Sequence, residues 1–226
     1  MTATNETPNN PASYAARLEI DYPEKLDRLT TFFRILWIIP IAIILGLVSG
    51  AGETVTNTVL VNEAGEVIRR SQETAGGLVA GLASATGLMI LFTQTYPRWW
   101  FDFTRELTRF EYRVGAYAGL MTDQYPSVVE EQSVHLEIDY PDAKNDLGRW
   151  MPVFKWLLAI PHYIVLAFLS IGAMFAVIIA WFAILFTGRY PRALFDYNVG
   201  VSRWWLRVAA YATLLVTDQY PPFSLK

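Results

Sequence analysis

Two short boxes of sequence occur twice in this chain, and in the same order. Residues 18–23 (Leu-Glu-Ile-Asp-Tyr-Pro) return as residues 136–141, and residues 122–126 (Thr-Asp-Gln-Tyr-Pro) return as residues 217–221. Between the boxes, each half has an apolar stretch, a Tyr-Pro-Arg turn and an arginine-bearing aromatic segment. A period of about 100 residues is too long for a solenoid repeat. We therefore predict a tandem duplication in which each copy packs against its twin.

The duplication divides the chain into three parts. Repeat 1 covers residues 16–130 and repeat 2 covers residues 131–226. Residues 1–15 precede both repeats; they are rich in Asn, Thr and Pro and lack the basic segment and apolar run of a secretory signal. We expect these fifteen residues to form a disordered tail.

Long uncharged runs indicate a membrane protein. The chain is 53% hydrophobic and 17% charged. Residues 35–52 and 75–95 contain no charged side chain, and residues 156–188 contain only His162 as a titratable group near neutrality. A run of 18 or more apolar residues is long enough to cross roughly 30 Å of hydrocarbon as a helix. We predict an all-α fold with four transmembrane helices.

The alignment of the two copies predicts how these helices are connected. A polar insertion at about residues 53–74 separates two helices in repeat 1, at about 31–48 and 75–94. By analogy, repeat 2 is expected to form a hairpin of helices at about 152–169 and 170–187, with a tight turn at residues 169–172. The competing interpretation is one long tilted helix over residues 156–186. That helix would place the basic ends of repeat 2 on opposite sides.

The distribution of basic residues predicts the orientation. Of the 18 Lys and Arg residues, only Arg69 and Arg70 lie in the insertion. If both copies are hairpins, the other basic residues share the opposite side, which the positive-inside rule assigns to the cytoplasm. We therefore expect a multi-pass protein with both termini cytoplasmic, and two parallel rather than inverted repeats.

The insertion in repeat 1 has the pattern of a small β-hairpin. Residues 56–61 and 66–70 are rich in β-branched side chains, and residues 62–65 (Asn-Glu-Ala-Gly) supply turn chemistry. Two roles are open: a solubilising loop, or a strand that docks a partner or a neighbouring protomer.

The segment after each Tyr-Pro-Arg turn predicts an amphipathic helix in the headgroup plane of the membrane, with arginines on one face and aromatics on another. Ordinary anchoring with internal Asp-to-Arg pairing is the competing explanation, and a specific lipid or nucleotide site is the sharper one. The predicted headgroup contacts are Arg98, Arg105, Arg109, Arg113, Arg192, Arg203 and Arg207. The predicted interfacial anchors are Trp99, Trp100, Trp204 and Trp205.

The Leu-Glu-Ile-Asp-Tyr-Pro boxes alternate apolar and acidic residues, which predicts short strands that end at proline. Residues 16–22 and 134–140 are expected to pair with each other in a small cytoplasmic sheet. The duplicated aspartates of the four boxes suggest either a cation site or, more simply, solvated loop acids and caps; they are Asp21, Asp123, Asp139 and Asp218.

Catalytic chemistry is sparse. The chain has no Cys, and its two histidines, His135 and His162, have no duplicated counterpart. It contains no Walker loop, no His-Glu-x-x-His and no Gly-x-Ser-x-Gly. The apolar runs lack the buried acids and bases that proton and ion pathways use. We therefore expect no enzyme activity, no cofactor, no metal and no nucleic-acid partner.

The second copy carries the family resemblance. Residues 190–196, 200–204 and 217–223 resemble the bacterial membrane family catalogued as domain of unknown function number 4389. Repeat 1 resembles it as a diverged copy, from which Glu106 and Glu111 depart. The resemblance implies a bacterial inner-membrane protein and brings no activity, substrate or catalytic residue.

We expect a non-enzymatic structural or accessory component of a membrane assembly, homo- or hetero-oligomeric. Its expected partners are membrane lipids, including anionic lipids, and another protein or further copies of itself. The alternative is a passive channel or a lipid-handling transporter that uses a groove between the copies, because small residues in residues 76–87 permit close helix packing.

Overall fold

The structure is a computed structural model that describes residues 14–49, 54–61, 67–74 and 78–226. The predicted tail lies almost entirely outside these residues. The described part is mostly helical, with two small two-stranded sheets. Its elements, in chain order, are β1 (Ala16–Ile20), α1 (Arg28–Ser49), β2 (Thr54–Val61), β3 (Val67–Thr74), α2 (Leu78–Thr93), α3 (Arg98–Ala118), β4 (Val134–Ile138), α4 (Met151–Leu158), α5 (Ile160–Thr187) and α6 (Arg192–Ala212).

The two copies of the first sequence box pair with each other, as predicted. Strands β1 and β4 are antiparallel, and Leu18 lies opposite Leu136, its counterpart in the other copy. Ala16 lies opposite Ile138 and Ile20 opposite Val134. The register is therefore symmetric about the two leucines, as in an interface where each surface meets an equivalent surface. Alternation places the leucines in the core and the acidic side chains outward.

The polar insertion contains the predicted hairpin, with longer strands than expected. Strands β2 and β3 pair antiparallel from Thr54 opposite Thr74 to Val61 opposite Val67. The predicted turn, residues 62–65, lies outside the described residues. The structure leaves both suggested roles of the hairpin as predictions.

Repeat 2 contains one continuous helix where a hairpin was predicted, so the prediction of a turn at residues 169–172 is wrong. Helix α5 runs for 28 residues, and the only nearby break is at Ala159, just before Pro161, where α4 ends and α5 begins. No proline follows within α5, and the hydroxyl of Ser170 is used as an acceptor by the Trp205 indole at 3.0 Å. The turn signal at Ser170 and Gly172 therefore reflects packing against α6.

Helix α6 lies between strand β1 and helix α5. On one side the Arg203 Nε donates to the carbonyl of Leu18 at 3.1 Å. On the other side the Tyr197 hydroxyl donates to the carbonyl of Leu169 at 2.9 Å. In the N-terminal half, Arg109 of α3 donates in the same way to the carbonyl of Leu136 at 3.3 Å. Each strand is thus bound by the helix of the opposite half.

Helix α6 is more buried than the predicted interfacial helix, and its position relative to a membrane stays a prediction. About half of its residues are buried, among them Trp204 and Arg207. Helix α3 is amphipathic as predicted, with a buried face that includes Phe101 and Tyr117. Helix α6 has apolar side chains on more than one face because both β1 and α5 pack against it.

Within the described residues, two helices, and not the predicted four, are long and apolar enough to cross a membrane by length and composition: Arg28–Gly46 within α1, and Ile160–Thr187, which is α5. Helix α2 contributes a shorter apolar segment, Ala80–Thr93. Both long helices expose most of their apolar side chains to the outside of the molecule, with only 17% of each apolar window buried.

Substitution of two glycines by alanine distinguishes a continuous α5 from a turn. A Cβ at Gly172 would lie 2.6 Å from the Tyr197 hydroxyl, whereas a Cβ at Gly81 of α2 meets nothing within 4 Å. We expect Gly81→Ala to stabilise the protein by about 0.5–1 kcal/mol through helix propensity. We expect Gly172→Ala to destabilise it by about 1–3 kcal/mol through overpacking. Helicity followed during denaturation in detergent measures both, and Tyr197→Phe should relieve the second. Equal stabilisation by both substitutions would contradict the packing of α5 on α6.

Candidate functional site

A buried ion pair joins α1 to the second sequence box of the N-terminal half. The side chain of Arg34 is 3% exposed and its guanidinium lies 2.5 Å from a carboxylate oxygen of Asp123. The same guanidinium donates to the carbonyl of Thr122 at 2.6 Å and lies 4.1 Å from the centroid of the Tyr117 ring. The Asp123 carboxylate also accepts the backbone N–H of Asp27 at 2.7 Å. These contacts compensate for the cost of burying the charge.

A matching ion pair occurs in the C-terminal half. The Nζ of Lys155 lies 2.6 Å from Asp218 and donates to the carbonyl of Thr217 at 2.8 Å. It also lies 5.3 Å from the centroid of the Tyr211 ring, and Asp218 accepts the backbone N–H of Gly148 at 2.6 Å. Burial lowers the pKa of Lys155, and the carboxylate of Asp218 acts against that shift. Both pairs stand at equivalent places in the two halves.

The tyrosines of the first sequence box bind the turn of the opposite half. The Tyr22 hydroxyl donates to the carbonyl of Tyr190 at 2.5 Å, and the Tyr140 hydroxyl donates to the carbonyl of Tyr96 at 2.5 Å. An arginine of that turn also stacks over each ring. The Cζ of Arg192 lies 4.4 Å from the centroid of the Tyr22 ring, and the Cζ of Arg98 lies 4.4 Å from that of the Tyr140 ring. These contacts fix the two Tyr-Pro-Arg turns beside the central sheet.

The seven arginines predicted to contact headgroups occupy different environments. Arg98 and Arg192 are exposed, whereas Arg113 and Arg207 are buried and donate to the carbonyls of Ser127 and Ser224. The other three are partly exposed, and each has an internal partner. Arg105 pairs with Asp102 at 3.2 Å and Glu106 at 3.1 Å, Arg109 pairs with Glu106, and Arg203 binds Leu18. Internal pairing, the competing explanation, accounts for most of these side chains, and headgroup contact stays a prediction.

The four predicted tryptophan anchors also differ in their exposure. Trp99 is 69% exposed, and Trp100 is half-buried with its indole N–H on the Thr86 hydroxyl at 2.8 Å. Trp205 is half-buried against α5, and Trp204 is 5% exposed. Only Trp99 presents most of its surface to the surroundings.

The duplicated aspartates are engaged by separate bases and do not form one cluster. Asp21 lies 3.1 Å from the His135 ring, and Asp139 lies 2.7 Å from Arg17. Asp123 and Asp218 belong to the two buried ion pairs described above. Within the described residues, no group of three or more His, Cys, Asp or Glu side chains is placed to hold a metal ion.

His162 lies in a buried aromatic cluster. The Trp204 indole donates to its Nδ1 at 3.1 Å, and the Phe223 ring stacks on it with centroids 4.0 Å apart. The imidazole is fully buried. It therefore lies inside the protein rather than at its surface.

A cavity of about 340 Å³ lies between α2, α3 and α6. Most of the exposed wall area is apolar, and six of the lining residues carry a hydroxyl and one a carboxyl group; pockets for small ligands combine an apolar lining with polar groups in this way. The residues around it are Leu82, Ala83, Thr86, Tyr96, Thr104, Leu107, Thr108, Glu111, Tyr112, Trp205, Ala209, Thr213 and Leu214. The sequence predicted a groove between the copies but did not identify these residues, because they come from three distant segments.

One sequence signal was available for the buried ion pairs. Arg34 and Lys155 occupy equivalent positions in the two copies, and each copy repeats a Thr-Asp pair at its end. A base that is duplicated within an apolar stretch, together with a duplicated acid, indicates a pair. Neither the cation site nor the solvated loop acids expected from the sequence describe Asp123 and Asp218, which pair with buried bases.

The fold and these contacts define a mostly helical protein with an exposed apolar surface and internally paired charges. Residues 149–224 match the family described as Domain of unknown function (DUF4389), which confirms the resemblance for that part of the chain. No curated protein and no solved structure matches the chain.

Removal of one partner from the buried Lys155–Asp218 pair should be costly. We expect Asp218→Asn to destabilise the protein by about 3–5 kcal/mol, because the Lys155 charge stays buried without its partner. Lys155→Met combined with Asp218→Asn should recover most of the loss. Asp196→Asn, which breaks the exposed pair with Arg192, should cost at most about 1 kcal/mol. Denaturant unfolding in detergent measures all three.

The pH dependence of the Asp218→Asn variant follows from the same burial. A lowered pKa for Lys155 means that the unfolded chain binds more protons than the folded one, so stability rises with pH. The loss should therefore shrink as the pH rises toward 10.5, the ordinary pKa of lysine. A penalty that is constant or grows over that range would contradict a charged, buried Lys155.

Proposed function

We propose that this protein is a non-enzymatic, membrane-embedded structural or accessory component of a larger assembly. The observation that carries the proposal is the extent of exposed apolar surface on α1, α4 and α5. Soluble monomers rarely expose an apolar patch larger than a few hundred Å². The outward side chains of α5 alone include Ile164, Phe168, Ile171, Phe175, Ile178, Phe182 and Phe186, each about half exposed or more.

The arrangement of charges supports a structural rather than a catalytic role. The buried bases Arg34 and Lys155 each contact a carboxylate and a backbone carbonyl of a segment that is distant in the sequence. A general acid or base needs a reactive group within reach of a substrate. In the described part of the chain, these charges instead bind segments of the protein to one another.

We propose further that the chain arose by tandem duplication and resides in the bacterial cytoplasmic membrane with both termini on the cytoplasmic side. The symmetric register of β1 and β4, the two equivalent ion pairs and the exchanged tyrosine contacts support the duplication. The Tyr14 hydroxyl donates to the carbonyl of Gln219 at 3.1 Å, which supports termini on one side.

We expect the assembly partner to bind the β2–β3 hairpin. The C-terminal half makes the same kind of buried ion pair and tyrosine contact as the N-terminal half without such an insertion, so the hairpin is not needed for those contacts. An exposed strand edge offers unpaired N–H and C=O groups to a strand of another chain. A partner or a second copy bound there would leave the central sheet and its helices unchanged.

Deletion of residues 53–74 tests this proposal. The full chain should remain in the membrane fraction after alkaline carbonate, and purification in mild detergent should give a particle larger than one chain with its lipid. The deletion variant should keep its helicity and membrane retention but lose the partner. A control variant with the β3 bases replaced, Arg69→Gln with Arg70→Gln, should keep the partner if strand pairing provides the contact. A lone, carbonate-extracted monomer of the full chain would contradict the proposal.

The cavity between α2, α3 and α6 favours lipid handling as a second candidate function. Its mostly apolar lining suits an acyl chain or another apolar ligand more than an ion. Ala209 lines the cavity, whereas Ala193 on the same helix is exposed.

Filling the cavity tests lipid handling. Ala209→Phe should remove most of the lipid that co-purifies with the protein and should abolish lipid transfer between vesicles, whereas Ala193→Phe should change neither. Mass spectrometry of the purified protein and a fluorescent-lipid transfer assay measure the two effects. Transfer at background for the unaltered protein would remove this candidate.

A further inference from the structure

Helix α3 carries a buried arginine, Arg113, that has no carboxylate partner within the described residues. Arg113 is 7% exposed. In the part of the chain that the structure describes, its guanidinium makes one hydrogen bond, from Nη1 to the carbonyl of Ser127, and its Nε is buried without a partner. A buried charge is ordinarily paired or fully hydrogen-bonded, because removing it from water is costly. The positive charge of Arg113 is therefore only partly compensated.

The carboxylates on the same part of α3 are already engaged by other arginines. Asp102 and Glu106 pair with Arg105, and Glu106 also pairs with Arg109, which lies one helical turn before Arg113. Burial lowers the pKa of the Arg113 guanidinium, and the like charge of Arg109 lowers it further, whereas Glu106 acts against that shift. This place on α3 therefore has a surplus of positive charge that a bound anion would offset.

Both arginines border a cavity of about 350 Å³. It lies between α3 and residues 131–137, the segment that enters β4, and it shares no lining residue with the cavity beside α2. Its wall is more polar than apolar, and its volume is that of a small ligand pocket. Three of the residues around it are exposed, so the cavity is open to the surroundings; they are Glu131, His135 and Glu137.

The C-terminal half contains the same pair of arginines and provides an internal comparison. Arg203 and Arg207 of α6 occupy the positions of Arg109 and Arg113 when the two copies are aligned. Arg207 is likewise buried, donates to the carbonyl of Ser224 and has no ion pair within the described residues. A missing carboxylate is therefore compatible with the fold, and the space beside the arginines is what distinguishes the two halves.

That space is occupied differently in the two halves. Two residues before strands β1 and β4, Tyr14 and Gln132 stand at equivalent positions. The Tyr14 hydroxyl donates to the carbonyl of Arg207 at 3.2 Å, which places the tyrosine beside the buried arginine. The Gln132 amide instead donates to the carbonyl of Tyr125 at 2.7 Å, and Gln132 borders the cavity. The N-terminal half thus has an open cavity where the C-terminal half has an aromatic side chain.

We propose that the cavity beside Arg109 and Arg113 binds a phosphate group, carried either by a small soluble compound or by the headgroup of an anionic lipid. The planar guanidinium presents its N–H donors in a fork that matches phosphate oxygens. Arg113 has donors that the protein does not use, and a bound phosphate supplies the negative charge that it lacks. Binding of this kind does not require membrane embedding, because a phosphate compound in solution offers the same chemistry.

Glu131 is the competing source of negative charge. It borders the cavity and makes no ion pair within the described residues, whereas Glu137, the other glutamate of the cavity, pairs with Arg17 at 3.1 Å. If Glu131 turned toward Arg113, it would neutralise the site without a ligand. Replacement of Glu131 by glutamine therefore has opposite consequences under the two explanations.

Calorimetric titration of the purified full chain in a neutral detergent tests the proposal. Glycerol phosphate serves as the soluble probe, and phosphatidic acid in mixed micelles serves as the lipid probe with the same phosphate group. Glycerol and diacylglycerol, which lack the phosphate, are the matched controls. Saturable binding of glycerol phosphate would assign the site to a soluble compound, and binding of phosphatidic acid alone would assign it to a lipid headgroup. Failure of both probes to bind would overturn the proposal.

Three substitutions locate the binding. Arg113→Gln should weaken it by about tenfold or more, because a charge-assisted hydrogen bond is lost. Gln132→Tyr, which introduces the residue of the other half, should abolish binding while both arginines remain. Arg105→Gln removes the same charge from α3 outside the cavity and should change the affinity by no more than about threefold. Equal binding by the unaltered chain and the Gln132→Tyr variant would overturn the proposal.

Glu131→Gln separates the two explanations and replaces any other variant that fails to fold, because Glu131 is exposed. Without its negative charge, phosphate binding should become several-fold stronger and stability in the absence of phosphate should not fall. A loss of stability without any phosphate binding would identify Glu131 as the partner of Arg113 and would overturn the proposal. Release of the chain by alkaline carbonate would contradict the proposed membrane embedding and leave phosphate binding unaffected.

Discussion

Each strand of the central β1–β4 sheet accepts a hydrogen bond from a helix of the other half of the chain. The packing of the remaining helices depends on these exchanged contacts. Arg203 of the C-terminal half binds the strand that contains Leu18, and Arg109 of the N-terminal half binds the strand that contains Leu136. Hydrogen bonds to charged donors contribute more than neutral ones. The exchanged contacts close loops of more than a hundred residues at Arg203 and about thirty at Arg109, so neither half completes its own core.

This exchange also determines where the charges are located. The bases of the two buried ion pairs are Arg34, near the start of α1, and Lys155, in α4 just before α5, and both contact carboxylates and backbone carbonyls. Isolated charges in such surroundings would be costly, and paired charges with saturated hydrogen bonds are tolerated. With these bases paired inside, the outward faces of α1 and α5 carry apolar side chains over long distances. The same pairing that stabilises the fold therefore leaves the exposed apolar surface on which the proposed membrane embedding rests.

Much of the local structure could be predicted from the sequence, because its signals are local or duplicated. Alternation in the two boxes predicted β1 and β4, and their identity predicted the mutual pairing. The insertion predicted a hairpin from β-branched runs around a turn. The form of repeat 2 could not be predicted in the same way. Exposed and buried positions of α5 are both apolar, so periodicity does not distinguish a continuous helix from a hairpin. The burial of α6 and the cavity depend on contacts between distant segments, for which a single sequence gives no local signal.

The differences between the halves place specialisation in the N-terminal one. At equal distances after Tyr96 and Tyr190, the two halves carry Glu111 and Trp205, and both side chains border the cavity beside α2 and α3. A carboxylate beside an apolar space is costly to bury unless it is paired or hydrogen-bonded, whereas an indole is not. The β2–β3 hairpin is inserted before α2, the helix that forms one wall of this cavity. A partner that engaged the hairpin would therefore act on the segment that leads directly into the cavity wall. This placement links the two proposed functions physically: assembly at the hairpin and occupancy of the cavity both act through α2.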